Sequence, residues 1–385
     1  MAYDLVCLSH LRWDFVYQRP QHLLSRCARN HRVFFVEEPV FDSDSPRMEA
    51  GKRPDGVEVV VPHLPGGLPA EQVERIQEDL LGNFFAERKI DDYVFWYYTP
   101  MAIAFTKSFT PRAVIYDAMD ELSAFQGAPP ELLEREQDLY KKADLVFTGG
   151  QSIYEAKRSQ HPSVHAFPSS VDVPHFAQGR ELQIDPADQT DIAHPRIGFY
   201  GVIDERADLE LLEGVAKLRP GWSLIMIGPV VKIDEASLPK APGIHYLGGK
   251  SYAELPSYLS GWDVAMLPFA RNESTRFISP TKTPEYLAAG KPVVSTSIKD
   301  VVRPYGDEGL VKIADTPEEF VTAVEELLSE DGAARQTKAD ELLGKMSWDI
   351  TWGRMSEMID RVLNEAGASV TGHERVSQKE EITHV

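Results

Sequence analysis

The sequence contains few cysteines and no long apolar run. Cys7 and Cys27 are the two cysteines among its 385 residues, and they fall in segments with the patterns of a strand and a helix. The N-terminus, MAYDLVCLSH, carries no basic and apolar leader, so we expect buried, reduced thiols rather than a disulfide framework. No apolar run approaches the roughly 18 residues of a membrane span. These absences predict a cytoplasmic protein, with room left for weak peripheral contact at the inner face of the membrane.

Positive charge is also scarce. Forty Lys and Arg residues stand against 60 Asp and Glu residues, and the formal net charge is −20. A general nucleic-acid binder neutralises phosphates with clustered Lys and Arg. The composition therefore argues against a nucleic-acid partner, although it is compatible with a local basic pocket.

Short apolar runs alternate with amphipathic helical patterns along most of the chain. This alternation is typical of α/β proteins with parallel, doubly wound sheets. It is interrupted by a polar segment between residues 169 and 196, which favours two Rossmann-like domains with an interdomain cleft. The predicted units are an N-terminal acceptor-side domain 1–175, a linker 176–195, a C-terminal domain 196–346, a helix 347–366 that could pack back on the first domain, and a disordered tail 367–385.

The segment from Pro268 to Thr296 predicts an anion site. It reads as a strand end, a polar loop, a short helix stopped by Gly290, and another strand. A helix N-terminus at the carboxyl end of a parallel strand favours a bound anion, and Lys282 adds a positive charge there. Glu285 lies three residues further on the same face, where it could accept hydrogen bonds from a diol such as a ribose. The alternative is an ordinary surface pair.

The first strand of the second domain ends in the sequence GFYGVIDERAD. Its glycines, among them Gly201, do not form the dinucleotide fingerprint, so a nicotinamide or flavin cofactor is not expected. Arg206 follows, and its planar set of donors could reach a phosphate held by the later helix. The alternative is a surface arginine paired with Glu205 or Asp208.

Two further strand ends of this domain predict contacts with a flat ligand. They are Gly228-Pro229-Val230 and Tyr246-Leu247-Gly248. Glycine lets the backbone approach a ligand closely, and exposed backbone groups can recognise the edge of a base. The alternative is plain turn chemistry.

The layout and three segments resemble the GT-B glycosyltransferases, especially the family 4-like, bacterial polysaccharide-type members. The segments are SPTKTPEYLAAGKPVVST in the second domain and DAMDELSAF and GGQSIYEAKR in the first. The resemblance implies transfer of a sugar from a nucleotide-sugar, most often a UDP-sugar, to a hydroxyl of a saccharide or lipid-linked saccharide. Leaving-group charge would be stabilised by side chains rather than by a metal.

By this resemblance, Glu285 holds the ribose, Lys282 and Arg206 hold the diphosphate, and the segment from Gly228 borders the base. The expected donor site comprises Gly201, Arg206, Gly228, Pro229, Val230, Tyr246, Leu247, Lys282, Thr283 and Glu285. One departure stands out, because the family usually carries a second Glu, in contact with the sugar, where this chain has Phe277. A related inverting group, the glucuronosyltransferases of xanthan type, also lacks that Glu.

The predicted catalytic residues are Asp117, Lys282 and Arg206. An inverting transferase needs a base for the acceptor hydroxyl, and Asp117 stands at a strand end that should face the cleft. A retaining enzyme would instead need donors on the leaving phosphate and a carbonyl or carboxylate near the sugar. The alternative role of Asp117 is a turn or a helix cap.

An acceptor site is predicted from the loop after the first strand, which contributes His10, Arg12 and Trp13, and from Asp120. Aromatic and polar side chains together suit a sugar or a polyprenyl-linked acceptor. For His10 the alternative is a satisfied structural histidine.

No metal is expected. Asp42-Ser43-Asp44 has the spacing of metal-dependent, single-domain glycosyltransferases, but the predicted architecture is different. His161 and His165 have no carboxylate partner in their immediate spacing. The sequence is also compatible with two other functions, a nucleotide-sugar isomerase of the 2-epimerase type and a non-catalytic partner subunit with the same fold.

Overall fold

The first domain is built on an eight-stranded sheet. The computed structural model describes residues 3–182 and 185–381. The strands are β1 (Asp4–Ser9), β2 (Arg32–Glu37), β3 (Arg47–Lys52), β4 (Glu58–His63), β5 (Tyr93–Tyr97), β6 (Ala113–Ala118), β7 (Leu145–Thr148) and β8 (Val164–Ala166). They are ordered β3-β4-β2-β1-β5-β6-β7-β8, and β3 is antiparallel to β4 while the other pairs are parallel.

The second domain has a six-stranded, parallel sheet. Its strands are β9 (Arg196–Tyr200), β10 (Ser223–Ile227), β11 (Ile244–Tyr246), β12 (Val264–Leu267), β13 (Val293–Ser295) and β14 (Val311–Ile313). Their order is β11-β10-β9-β12-β13-β14, which reverses direction between β9 and β12. In such sheets the crevice at the reversal, beyond the carboxyl ends of the strands, is where ligands bind.

Helices cover both sheets. Those of the first domain are α1 (Arg19–Cys27), α2 (Ala70–Arg88), α3 (Leu132–Lys142) and α4 (Gln151–Lys157), while α5 (Val173–Ala177) packs on the core of the second domain. The later ones are α6 (Leu209–Leu218), α7 (Leu255–Ser260), α8 (Lys282–Ala288), α9 (Lys299–Val301), α10 (Pro317–Ser329), α11 (Ala333–Leu343) and α12 (Trp348–Glu381). In the described part of the chain, no helix is both long and apolar enough to cross a bilayer.

The predicted fold class is confirmed, since each domain is a doubly wound α/β unit. The central strands are buried on both faces and therefore read as continuous apolar runs, which made them easy to predict. Strand β3 was not predicted, because its sequence, RMEAGK, is polar and lies exposed or half-buried at the sheet edge. Cys7 and Cys27 are free and fully buried, as expected.

The C-terminal helix α12 packs on the first domain. Trp348, Met355 and Ile359 are buried in the same cluster as the side chains of β1, β2 and β5, and Asp349 forms ion pairs with Arg26 and Arg29 of the α1 region. The helix continues to Glu381, so helix replaces the predicted tail over 367–381, and 382–385 lie outside the described residues.

The two domains contact each other beside the cleft. The Asp300 carboxylate of the second domain accepts a hydrogen bond from the Ser152 N–H at the start of α4, at 3.0 Å. Lys299 and Arg303 form ion pairs with Glu155. The carboxyl ends of the two sheets are thereby held facing each other.

Candidate functional site

A cleft of about 730 Å³ lies between the two domains. Its walls come from the loops that follow the strands of both sheets, as the topology requires. A volume in this range suits a ligand of nucleotide-sugar size. We call the second-domain side the donor wall and the first-domain side the acceptor wall.

Lys282 stands at the first turn of α8 on the donor wall. Burial lowers the pKa of its ammonium group, and the nearby Glu285 carboxylate acts in the opposite direction. In the part of the chain that the structure describes, Lys282 makes no ion pair. A cation at a helix N-terminus opposes the helix dipole, so the arrangement favours a bound anion.

Glycine at position 201 makes room for Lys282. A Cβ there would lie 2.3 Å from Lys282 Cε and 2.9 Å from Nζ, and the backbone has a φ of +144°. Position 228 also requires glycine, because a Cβ added there would lie 1.8 Å from the Gly201 carbonyl oxygen. Only glycine at positions 201 and 228 therefore allows the ends of β9 and β10 to approach each other and a ligand this closely.

Glu285 lies one turn beyond Lys282 and faces the cleft. Its carboxylate accepts a short hydrogen bond from the Tyr200 hydroxyl at the end of β9. Burial raises the pKa of Glu285, while the Tyr200 hydrogen bond and the Lys282 charge oppose this rise. The Tyr200 hydroxyl thus orients the carboxylate, whose two oxygens have enough lone pairs to accept a further hydrogen bond from a hydroxyl in the cleft.

Arg206 is held by Asp204, and neither of the partners considered from the sequence, Glu205 and Asp208, pairs with it. Arg206 Nε lies 2.9 Å from Asp204 Oδ1, and Nη2 lies 2.6 Å from Oδ2. Among the described residues, Nη1 has no hydrogen-bond partner, and the side chain lines the cleft. The guanidinium is therefore fixed with one edge available for a ligand.

Asp117 does not face the cleft, contrary to its prediction as the base. It is fully buried, and both carboxylate oxygens accept hydrogen bonds of 2.9 Å from Arg19. Arg19 Nη1 also donates to the Phe167 carbonyl at 2.7 Å. A carboxylate bound in this way is a structural ion pair that joins β6 to α1.

Like Asp14 and Asp55, Asp120 is an acceptor-wall carboxylate that lines the cleft. Burial raises the pKa of its carboxyl, and Arg206, Arg19 and Lys282 act in the opposite direction. Arg206 and Lys282 belong to the donor wall, so Asp120 faces the same space as the two cations. This placement is compatible with the acceptor-binding role predicted for Asp120 and also with a general base.

Trp13 is the only one of the three predicted first-loop residues that lines the cleft. Arg12 turns away and pairs with Glu37 at 2.9 Å. His10 is not a lining residue, and burial lowers its pKa to about 4. His10 is therefore buried away from the cleft, and among the described residues its Nδ1 has no hydrogen-bond partner, so it does not match the satisfied histidine of the structural alternative.

Residues 194–330 match the family model described as glycosyl transferases group 1. A Bacillus subtilis (strain 168) protein, named as a candidate teichuronic acid biosynthesis glycosyltransferase, TuaH, is 25% identical over 260 residues. The alignment covers 62% of this chain and 64% of that relative, which is less than two thirds of its length.

Solved structures with the same fold include sucrose-phosphate synthase from Thermosynechococcus elongatus, with a TM-score of 0.72 at 14% identity over 94% of this chain and 100% of that chain. HepE of Anabaena, solved in complex with UDP, gives a TM-score of 0.67 at 14% identity over 93% of this chain and 100% of that chain. At these identities the likeness shows the fold. Residues 194–330 are thus similar to a glycosyltransferase family, and the chain shares its fold with these solved structures.

Four predicted donor residues do not line the cleft of this GT-B fold. Val230 bridges to Ile203, and the Tyr246 hydroxyl donates to the Pro239 carbonyl at 3.2 Å, with its pKa raised by burial to about 12. Leu247 packs on the domain core. Thr283, in the first turn of α8, is fully buried.

Other lining residues were missed. The segment from Gly249 to Tyr252 lines the donor wall, and Phe15 and Tyr17 line the acceptor wall. The Tyr17 and Tyr252 rings stack across the cleft mouth with centroids 4.5 Å apart. Proximity of Phe15 and Tyr17 to Trp13 was the available signal, while the turn after β11 has no distinctive residue pattern.

The remaining sequence features lie outside the cleft. Phe277 packs against the core of the first domain rather than facing a sugar. Asp42 hydrogen-bonds His63, with 2.6 Å between Oδ1 and Nδ1. His161 and His165 bond to the Ala143 carbonyl and the Ser163 hydroxyl.

Proposed function

We propose that this chain is a family 4-like hexosyltransferase. It moves a sugar from a UDP-sugar to a hydroxyl of a saccharide or lipid-linked saccharide, without a metal. The observation that carries the proposal is the placement of Lys282, Glu285 and Asp120 around one cleft. Lys282 makes no ion pair within the described residues, and Asp120 faces it from the other domain.

The donor wall supplies the groups that a nucleoside diphosphate needs. Lys282 and the available edge of Arg206 would stabilise charge on the diphosphate as its bond to the sugar breaks. Glu285 would accept hydrogen bonds from the ribose. Gly228 and Pro229 would let the base approach the ends of the strands.

Asp120 takes the place of Asp117 as the proposed base. The acceptor oxygen forms a bond with the anomeric carbon, the bond from that carbon to the diphosphate oxygen breaks, and the hydroxyl proton passes to Asp120. Displacement in line with the leaving group inverts the anomeric centre. The configuration of the product, read by NMR, therefore tests this role.

The acceptor wall presents aromatic surface to the incoming hydroxyl. Trp13, Phe15 and Tyr17 line it, and Phe15 is 58% exposed. Rings of this kind can stack on the apolar face of a sugar. A lipid-linked acceptor would bring the protein to the cytoplasmic face of the membrane for weak, transient contact.

The names of two compared proteins support the proposed UDP-sugar donor and saccharide acceptor. HepE was solved with UDP, and the Bacillus relative is named for teichuronic acid biosynthesis. For this chain we therefore propose UDP as the donor nucleotide and polysaccharide biosynthesis as the class of pathway.

A binding screen tests the proposed function. Calorimetry and thermal shift with UDP, ADP and GDP, followed by the matching nucleotide-sugars, should show selective stabilisation by UDP ligands. Addition of saccharide acceptors should then release UDP and yield a larger glycoside. Failure to bind any nucleotide would favour a non-catalytic subunit, and conversion of the donor sugar without an acceptor would favour an isomerase.

A further inference from the structure

Phe125 of the first domain lies close to two cations of the second domain, Arg206 and Lys232. It follows the short 3-10 turn Leu122–Ala124 on the loop that begins at Asp120. The Arg206 guanidinium carbon lies 5.6 Å from the centre of the Phe125 ring, and Lys232 Nζ lies 5.5 Å from it. Both distances are within the range of cation–π attraction.

The two cations differ in how they are held. Arg206 is fixed by its bonds to Asp204, so its position does not depend on Phe125. Lys232 is exposed and has a left-handed backbone, with φ of 63°, which is uncommon for a residue other than glycine. Among the described residues it makes no ion pair. The ring thus meets one rigid cation and one cation with no other protein partner.

Phe125 is five residues from Asp120, and the turn between them makes the loop short. Docking of the ring on the second domain therefore constrains how far Asp120 lies from Arg206 and Lys282. We propose that Phe125 is a positioning residue, whose contact with Arg206 and Lys232 holds the two domains in the arrangement that presents Asp120 to the bound donor.

This inference rests on the proposed function for its catalytic meaning, but the domain arrangement can be measured separately. Spin labels at Glu71→Cys in α2 and Glu318→Cys in α10 would report the interdomain distance in the full chain. Both positions are exposed, and the native Cys7 and Cys27 are fully buried and would not label.

Phe125→Leu removes the π face and keeps an apolar side chain. We expect the ratio of closed to open molecules to fall about tenfold, which corresponds to about 1.4 kcal/mol. Phe125→Tyr keeps the ring and should match the parent protein. Phe41→Leu, at an exposed phenylalanine outside the cleft lining, is the control for a general effect of losing a ring.

UDP affinity distinguishes this proposal from the proposed function. The UDP contacts lie in the second domain, so Phe125→Leu should bind UDP within about twofold of the parent, because a ligand with equal affinity for two states shifts neither. Absence of UDP binding in the parent protein would contradict the proposed function, while the distance measurement without ligand would still decide the role of Phe125.

Two results would overturn the proposal. Phe125→Leu could leave the distance distribution unchanged, or Phe125→Tyr could shift it as much as Phe125→Leu does. If Phe125→Leu fails to fold, Lys232→Gln provides the second test, because it removes one cation without altering the acceptor wall. It should open a smaller fraction of molecules than Phe125→Leu, and an unchanged distribution would again contradict the proposal.

Discussion

Each wall of the cleft contains an arginine held by a two-point ion pair with an aspartate, and the two pairs do different things. In the acceptor wall the side chains of Arg19 and Asp117 are 2% and 0% exposed, and all three nitrogens of the guanidinium donate to the protein. In the donor wall Arg206 is 27% exposed and Asp204 6% exposed, and the arginine turns one edge toward the cleft.

The comparison shows that an ion pair at a strand end is not by itself a catalytic feature. Every nitrogen of the Arg19 guanidinium and both oxygens of the Asp117 carboxylate bind the protein, and both side chains are buried, so this pair holds the domain together. Partial saturation fixes Arg206 and leaves one edge for a ligand. The same chemistry thus becomes structural or functional according to how many of its hydrogen-bonding groups the protein uses.

Breaking the buried pair should have the largest effect. Arg19→Met leaves the Asp117 carboxylate buried without its partner, and we expect the free energy of unfolding to fall by about 3–5 kcal/mol. Urea denaturation of the full chain measures this. Arg53→Met is the control, because its pair with Asp14 is exposed and should contribute about 1 kcal/mol or less. Equal losses in the two variants would show that the buried pair is not special.

Removing the donor-wall cation should affect turnover rather than folding. Lys282→Met is expected to lower kcat by about 10²–10³, since a donor aimed at developing charge is lost. Burial already lowers the pKa of Lys282, so loss of its charge should not lower the melting temperature. Lys217→Met, in an exposed pair on α6, should match the parent in both measurements. Retention of turnover by Lys282→Met would contradict the assigned role.

A third variant examines the base. Asp120→Asn should lower kcat/KM by about 10² at neutral pH. Burial raises the pKa of Asp120 above its ordinary value, and a base acts only when deprotonated. Activity of the parent should therefore fall as the pH falls through this raised pKa, and the Asn variant should lack that acid limb. Asp14→Asn, at the cleft mouth, should keep the fall in activity at low pH. If this variant also lost that pH dependence, the result would argue against Asp120 as the base.

The sequence predicted the fold well for a physical reason. Parallel strands that are buried on both faces consist of continuous apolar residues, so they are visible in the sequence. The end of α8 is marked locally by Gly290, which has a φ of 75°. Lys282 and Glu285 were found because both lie on that one local element. The polar edge strand β3 was missed because no apolar period marks it.

The acceptor wall was predicted less well because its contacts are distant in sequence. Arg19 and Asp117 are 98 residues apart. No local pattern therefore shows that Asp117 is ion-paired with a distant arginine while Asp120 lines the cleft. The Tyr17–Tyr252 stack joins two domains, and sequence spacing gives no indication of it. Local signals therefore predicted that Lys282 and Glu285 line the cleft, whereas the residues of the acceptor wall depend on tertiary contacts.

The smallest expected effect concerns how Glu285 is oriented. Tyr200→Phe removes the hydroxyl that donates to Glu285 and keeps the ring packed in the core. We expect UDP affinity to fall by about fivefold, the value of one hydrogen bond of about 1 kcal/mol. Calorimetry with UDP and 2′-deoxy-UDP would separate two explanations. If Glu285 recognises the ribose 2′-hydroxyl, the parent protein should bind UDP more tightly than 2′-deoxy-UDP. Tyr200→Phe should then reduce the ratio of the two affinities. An equal loss of affinity for both ligands would mean that Tyr200 supports the diphosphate site through β9 rather than through Glu285.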